Sequence, residues 1–344
     1  MCTKLNIELA PDCPDNDKAF RNESSGKVLG IIFECADCSW KLPEDKRIEY
    51  MNAVHKSISD NCMNIEDCQS LLGKLAFVSS MCEPLRTFKK PLQNYLSTML
   101  ESGVENVELP QEVLSDLLFW WGFLNNADRN IPIQMEHDSP PLRCKVITTD
   151  AAGWRFNSSS TERVGMGCVG IDEEGEIFMA NQLFWESKSS RYFCDEEFKH
   201  LGSKTTTLEF TGIVIPFLIC PEKLANQIVM IQVDNIGCYY AWQNGYCKED
   251  NMASILVRLL VLLSSWLSCE VLVVHHPRES SWESKLADRL SRTRSTTTQD
   301  KRLVDGFNLR NLPKSFSDWL DSPAEDWNMP KSVIVELSSN ISLP

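Results

Sequence analysis

The sequence predicts an α/β chain, with a mixed five-stranded sheet flanked by helices over residues 143–295 and a β-hairpin plus small helical bundle over residues 27–105. Two observations carry this. Predicted elements in the second half run βββαβααβα, and the strand–helix alternation late in that order implies a mixed sheet with helices on its faces. The chain is also large enough for two cores, with 344 residues, 43% of them hydrophobic and 24% charged.

Residues 1–26, rich in Pro, Asp and Asn, read as an irregular lead-in. Lys27 to Glu34 predicts a strand and Ser39 to Leu42 a second, which together make a hairpin that Pro43 ends. Ile48, Met51, Val54 and Ile58 recur at helical spacing in Glu44–Ser59, and Ile65, Cys68, Leu71, Leu72, Leu75 and Phe77 do so in Asn64–Ser79. A third helix is expected over Pro84–Met99. Residues 106–142 form a linker holding one aromatic helix, Gln111–Asn126, expected to pack between the two halves. Cys35-x-x-Cys38 lies in the hairpin turn, but a zinc site needs four ligands and no second such pair stands nearby.

In the second half, β-branched Val146–Thr149 is the first strand, with Asp150 at its end and Gly153 marking its exit. Gly165–Ile171 and Ile177–Asn181 follow, joined by a Glu173-Glu174-Gly175 turn. Thr207–Ile219 is an apolar helix, Ile228–Val233 a strand, Ile236–Asn244 a short helix, Met252–Leu267 a long one, Val271–Val274 a strand and Trp282–Arg292 the last helix. Residues 296–344 are a tail, whose Trp319 and Trp327 are expected to lie along the domain surface.

A net charge of −14 argues against a general polyanion-binding surface, leaving local basic clusters at Arg86–Lys90 and Arg289–Arg302. Fourteen cysteines without a repeating spacing suggest reduced thiols in an intracellular protein, with cytoplasm and nucleus not distinguished. The longest apolar run is too short and too interrupted to span a bilayer, so no membrane partner is expected.

Four acids fall in four places of this frame. Asp150 ends the first strand and Asp234 follows the fourth, so pairing of these two strands would bring both carboxylates to one edge. Glu209 opens the apolar helix, where Thr206-x-x-Glu209 also fits a capping box. Asp288 lies on the last helix. Each has an ordinary structural explanation alone. Together they suggest a carboxylate group, which stays ionised at neutral pH only when cations neutralise it. Hard divalent ions suit such oxygens, and a pair about 4 Å apart can activate water for phosphodiester displacement.

Strand-Asp150, helix-Glu209, strand-Asp234 and helix-Asp288 on the βββαβααβα frame resemble the ribonuclease H type 1 domain. The stretch Leu286-Ala287-Asp288-Arg289-Leu290-Ser291-Arg292 is similar to the last helix of such domains in retrotransposon reverse transcriptases. Leu29-Gly30-Ile31-Ile32-Phe33, Trp40-Lys41-Leu42-Pro43 and Leu71-Leu72-Gly73-Lys74-Leu75 resemble the thumb or connection that follows the polymerase palm, most of all in DIRS-type (tyrosine-recombinase) elements. The resemblance implies a ribonuclease H-like sheet behind a thumb/connection-like domain. It implies metal-dependent endonuclease cleavage of the RNA strand of RNA·DNA hybrids. Two Mg²⁺ ions, replaceable by Mn²⁺, would be held by Asp150 as shared ligand, Glu209 and Asp234 at one ion and Asp288 at the other. Thr148, Trp154 and Asn235 beside the acids, and Arg289, Arg292 and Arg294, are the implied nucleic-acid contacts.

Such enzymes often carry a histidine before the last helix that helps product leave. His276 stands nearest that position, its alternative being a structural strand-end residue. No Asp-Asp pair occurs, so the polymerase palm is absent and a polymerase domain in trans is an implied partner. A second reading is a domesticated or decayed retroelement fragment that keeps the fold as a catalytically weak nucleic-acid or protein binding module.

Overall fold

The computed structural model describes residues 25–34, 39–80, 82–104, 106–125, 131–132, 144–152, 164–185, 205–248, 251–277, 281–292, 297–307 and 309–320, with residues 333 and 336. The chain divides into two compact units, Met1–Glu136 and His137–Pro344.

The first unit opens with β1 (Ser25–Val28), β2 (Ile31–Glu34) and β3 (Ser39–Lys41), antiparallel in that order. The single strand expected over Lys27–Glu34 is thus two. Leu29 and Gly30 both have positive φ, 51° and 82°, which turns the chain in a two-residue hairpin loop whose twist matches the flanking strands. Helix α1 (Glu44–Asp60) ends at left-handed Asn61, and β4 (Cys62–Met63) leads into α2 (Ile65–Ser79), capped by the Asn64 side chain accepting from Asp67 N–H. The third expected helix begins as a 3₁₀ segment, Glu83–Lys89, before α3 (Lys90–Ser102). After β5 (Val107–Glu108), α4 (Gln111–Asn125) packs on α1 inside this unit, and β6 (Ile131–Pro132) pairs with β3. The aromatics of α4 supply core here: Trp120 is fully buried, its indole N–H donates to Phe88 C=O, and Phe119 stacks on Phe88. Cys35 and Cys38 lie outside the described residues.

The second unit is built on β7 (Lys145–Ala152), β8 (Val164–Ile171), β9 (Ile177–Trp185), β10 (Ile228–Val233) and β11 (Glu270–His275). Their order is β11-β10-β7-β8-β9. The β7–β8–β9 ribbon is antiparallel, while β10 runs parallel to both β7 and β11. This is the mixed five-stranded sheet that the element order predicted. Crossovers supply α5 (Thr205–Ile219), the single turn α6 (Pro221–Leu224), α7 (Ile236–Asn244) and α8 (Asn251–Leu267), and α9 (Trp282–Leu290) follows β11.

Helix α5 is apolar on every side and every residue from Thr207 to Ile219 is buried, as expected of a helix enclosed by a sheet and other helices. It packs on the sheet face that carries Thr149 and on α8. Helix α9 covers the opposite face, and glycines let it come unusually close. A Cβ on Gly167 would sit 2.7 Å from both Leu290 Cβ and Ser291 N, and one on Gly165 would collide with Phe184 and the Ser291 carbonyl.

Two further helices, α10 (Thr298–Asp305) and α11 (Lys314–Leu320), belong to the body of this unit. Leu303, Val304 and Phe307 pack on a cluster of Val169, Ala180, Leu286, Ala287 and Leu290, and Phe316, Trp319, Leu320 and Val333 join the main core. The described part of the expected surface tail thus contributes to the core, its first helix opened by the Thr297 cap. Trp327 lies outside the described residues. No helix among the described residues is long and apolar enough to cross a membrane.

Candidate metal centre

Asp150 does not end its strand. Strand β7 continues to Ala152, paired residue for residue with β8, and Asp150 sits opposite Gly167. The glycines of β8 leave room for both the pairing and the helix above it, which extends the strand past the boundary that β-branched residues alone suggest. The parallel register sets Thr148 beside Gln232. Two residues on, Asp150 inside β7 and Asp234 just past the end of β10 bring a carboxylate oxygen each to within 4.8 Å of the other.

Glu209 reaches the same place from α5. Thr206 is the second residue of that helix and not its cap, so the capping-box alternative does not describe Glu209. A carboxylate at 4% exposure on an otherwise apolar helix is costly unless something binds it. Asp150, at 5% exposure, is equally enclosed. One oxygen from each of Asp150, Glu209 and Asp234 lies within 4.8 Å of the others, the group of this kind found among the described residues.

Helix α9 closes the far side. Buried Ser291 donates its hydroxyl to Asp150 Oδ2 at 2.6 Å and stands 2.9 Å from Asp288 C=O. Asp288, on the preceding turn, is outside the three-carboxylate group. Its Oδ1 instead accepts from Arg292 Nε and Nη2, at 3.1 and 3.0 Å. The four acids expected to converge are thus three together and one beside them, held by an arginine that the helical spacing places four residues on.

Asp150 and Asp234 line a small open cleft, bordered also by Thr148, Thr149, Gln232, His276 and Ser284. Thr148 Oγ1 donates to Gln232 Oε1 at 3.0 Å. His276 is anchored by its backbone N–H to Val233 C=O, and its Nε2 is buried with no hydrogen-bond partner among the described residues. His275, by contrast, is an exposed strand end with Nε2 3.2 Å from Asp234 C=O.

The other expected contacts have structural partners. Asn235 caps α7, its Oδ1 accepting from Gly237 and Cys238 N–H at 2.7 and 3.3 Å. Arg289 forms a two-pronged ion pair with nearly buried Asp300, at 3.2 and 3.0 Å. That guanidinium, with the Thr297 backbone and hydroxyl, holds the Asp300 carboxyl down at about 2. Trp154 and Arg294 lie outside the described residues.

Sequence reasoning missed Ser291, Gln232 and Ser284. Each is a common residue type without a charge or spacing signal, and each becomes visible only through the register of β7 with β10 and the docking of α9.

The donor set is all carboxylate oxygen, hard and anionic, which fits Mg²⁺ or Mn²⁺ and not soft metals. No cysteine borders the cleft among the described residues, and in the core burial pushes Cys220 and Cys269 up to about 12.

No protein-family model matches the chain, and no curated protein matches it. Among solved structures it is similar to LC11-RNase H1, isolated from compost, at 15% identity over 48% of this chain and 97% of that one, with a TM-score of 0.31. It is similar to RNase H1 from the halophilic archaeon Halobacterium salinarum at 12% identity over 44% and 96%, with a TM-score of 0.29. It is also similar to a foamy viral protease-reverse transcriptase in complex with dsDNA, at 15% identity over 46% and 99%, with a TM-score of 0.33. Similarity at this level leaves strand order and register as the basis for the fold.

Proposed function

We propose that the second unit is a metal-dependent ribonuclease H that cleaves the RNA strand of RNA·DNA hybrids, in a chain related to the thumb/connection and ribonuclease H region of a retroelement reverse transcriptase. The observation that carries this reading is the meeting of Asp150, Glu209 and Asp234 within 4.8 Å at the edge where β7 and β10 run parallel. The DIRS-type affinity rests on the Leu29–Phe33, Trp40–Pro43 and Leu71–Leu75 series alone.

Asp150, Glu209 and Asp234 would hold one divalent ion, and Asp150 with Asp288 a second. Bound there, such ions supply charge neutralisation, an activated water and stabilisation of the leaving oxygen. The chain's own residues do the rest. Ser291 fixes the orientation of the Asp150 carboxylate, and the β7–β10 register fixes its distance from Asp234. His276, which borders the cleft and whose buried Nε2 has no hydrogen-bond partner among the described residues, would be the helper of product release. Thr148 and Gln232 line the approach and offer hydrogen bonds to a backbone or to the 2′-hydroxyls that distinguish RNA from DNA. A polymerase domain supplied in trans would present the hybrid.

A binding module of weak activity is the second reading. It is favoured by Arg289 and Arg292, the expected phosphate contacts, being engaged by Asp300 and Asp288 in a chain of net charge −14. The test is incubation of the full chain with a labelled RNA·DNA hybrid and Mg²⁺ or Mn²⁺. Cleavage of the RNA strand is expected, lost in Asp150→Asn and Asp234→Asn, along with a metal-induced rise in Tm in the unmutated chain. A folded protein that neither cuts nor is stabilised by either metal overturns the enzyme reading in favour of the binding module.

A further inference from the structure

Asp288 and Arg292 stand one helical turn apart at the end of α9, where ordinary exposed i,i+4 pairs contribute little. This pair differs in its placement. Both guanidinium nitrogens converge on one oxygen, Asp288 Oδ1, and both side chains are largely covered, at 25% and 30% exposure. Between them in sequence, Ser291 ties the same turn of helix to Asp150. Asp288 is therefore carried to the border of the carboxylate group by α9 with its charge already matched, whereas the three clustered acids include two that are almost inaccessible.

We propose that Arg292 is a positioning residue that holds Asp288 apart from the other acids and competes with a divalent cation for its carboxylate. The inference rests on the reading of Asp288 as a cation ligand. A cation that recruits Asp288 must displace the guanidinium, so its affinity is lowered by the strength of the ion pair. For a partly exposed pair worth about 1 kcal/mol this is about fivefold in Kd. Arg292 then sets the concentration of metal at which the fourth carboxylate engages, without touching the reacting atoms itself.

Calorimetric titration of the full chain with Mn²⁺ in the absence of nucleic acid tests this, using Arg292→Gln, Asp288→Asn and the double variant. Tm measured in EDTA verifies folding, and Arg292→Lys, which keeps the charge but loses the two-pronged geometry, serves where Arg292→Gln does not fold. Arg292→Gln is expected to tighten the weaker Mn²⁺ site about fivefold. Arg292→Lys is expected to fall between it and the unmutated chain. In the Asp288→Asn background the substitution is expected to change nothing, because the competition has no object. Equal tightening in that background would show general charge repulsion and overturn the proposal. So would unchanged or weaker binding by the single variant when the unmutated chain binds Mn²⁺. Absence of Mn²⁺ binding by the unmutated chain would remove the metal reading and this proposal together.

Discussion

Ser291 Oγ donates to Asp150 Oδ2 at 2.6 Å, joining the C-terminal end of α9 to a carboxylate enclosed within strand β7. Both residues are buried, so the bond is made largely out of water. The hydroxyl takes up acceptor capacity on Oδ2 and fixes the carboxylate plane. Asp150 can then face Glu209 and Asp234 in one orientation only.

Ser291→Ala removes this restraint while changing the volume of the side chain little. The expected result is a fall in kcat of about tenfold with KM nearly unchanged, as for loss of an orientation that matters at the reacting centre. Stability should fall by about 1 kcal/mol, the usual net worth of one hydrogen bond. Ser291→Thr, which retains the hydroxyl, should recover part of kcat. Steady-state kinetics on a hybrid and urea unfolding of the metal-free proteins measure the two effects separately.

The closeness of that contact depends on two residues of β8 that have no side chain. Gly167→Ala would place a methyl group against the backbone of α9, 2.7 Å from Ser291 N and Leu290 Cβ, where nothing flexible can give way. A loss of about 2–4 kcal/mol is expected from the overpacking, together with loss of cleavage as α9 carries Ser291 and Asp288 outward. Gly212→Ala on α5 is the contrasting case. Its Cβ would meet Thr149 and Met166 at 3.7 Å or more in a helix interior, so the change should be neutral or stabilise by up to about 1 kcal/mol. Thermal melts of both variants decide whether close packing or glycine flexibility explains these positions.

The sequence carried the sheet well because periodicity and β-branching are local signals: the bounds of β10 and α7 are those read from Ile228–Val233 and Ile236–Asn244. Of the four acids singled out by their places in the element order, Asp150, Glu209 and Asp234 come together and Asp288 stands outside the group. Other features are set by pairing across the chain. Asp150 lies inside β7 because β8 pairs beyond Thr149, and the Leu29-Gly30 turn shows itself only as two positive φ angles. The arginines at 289 and 292 read as phosphate contacts by charge alone. Their partners Asp300 and Asp288 require knowing how α9 and α10 meet. The apolar content of residues 303–320 was visible, but its burial depends on the tertiary surface that receives it.

Asp300 provides a pH test of how firmly α10 belongs to the domain. Its carboxyl is held at about 2 against an ordinary 3.8, first by the Arg289 guanidinium and then by the Thr297 cap, with burial opposing. A carboxyl depressed in the folded state contributes stability above its unfolded pKa and loses it as pH falls toward the folded value, which sets the window at about pH 4 down to 2. Full conversion of the shift would give about 2.4 kcal/mol. Arg289 is 42% exposed, so solvent screening reduces this to about 1–2 kcal/mol. Asp300→Asn should therefore be less stable than the unmutated chain by that amount at pH 6–7. The gap should narrow steadily between pH 4 and pH 2, because protonation then does to the carboxylate what the substitution does. Urea unfolding across this range, followed by tryptophan fluorescence, measures it. A gap that stays constant through the window would mean that packing around α10, and not the Arg289 ion pair, holds the helix in place.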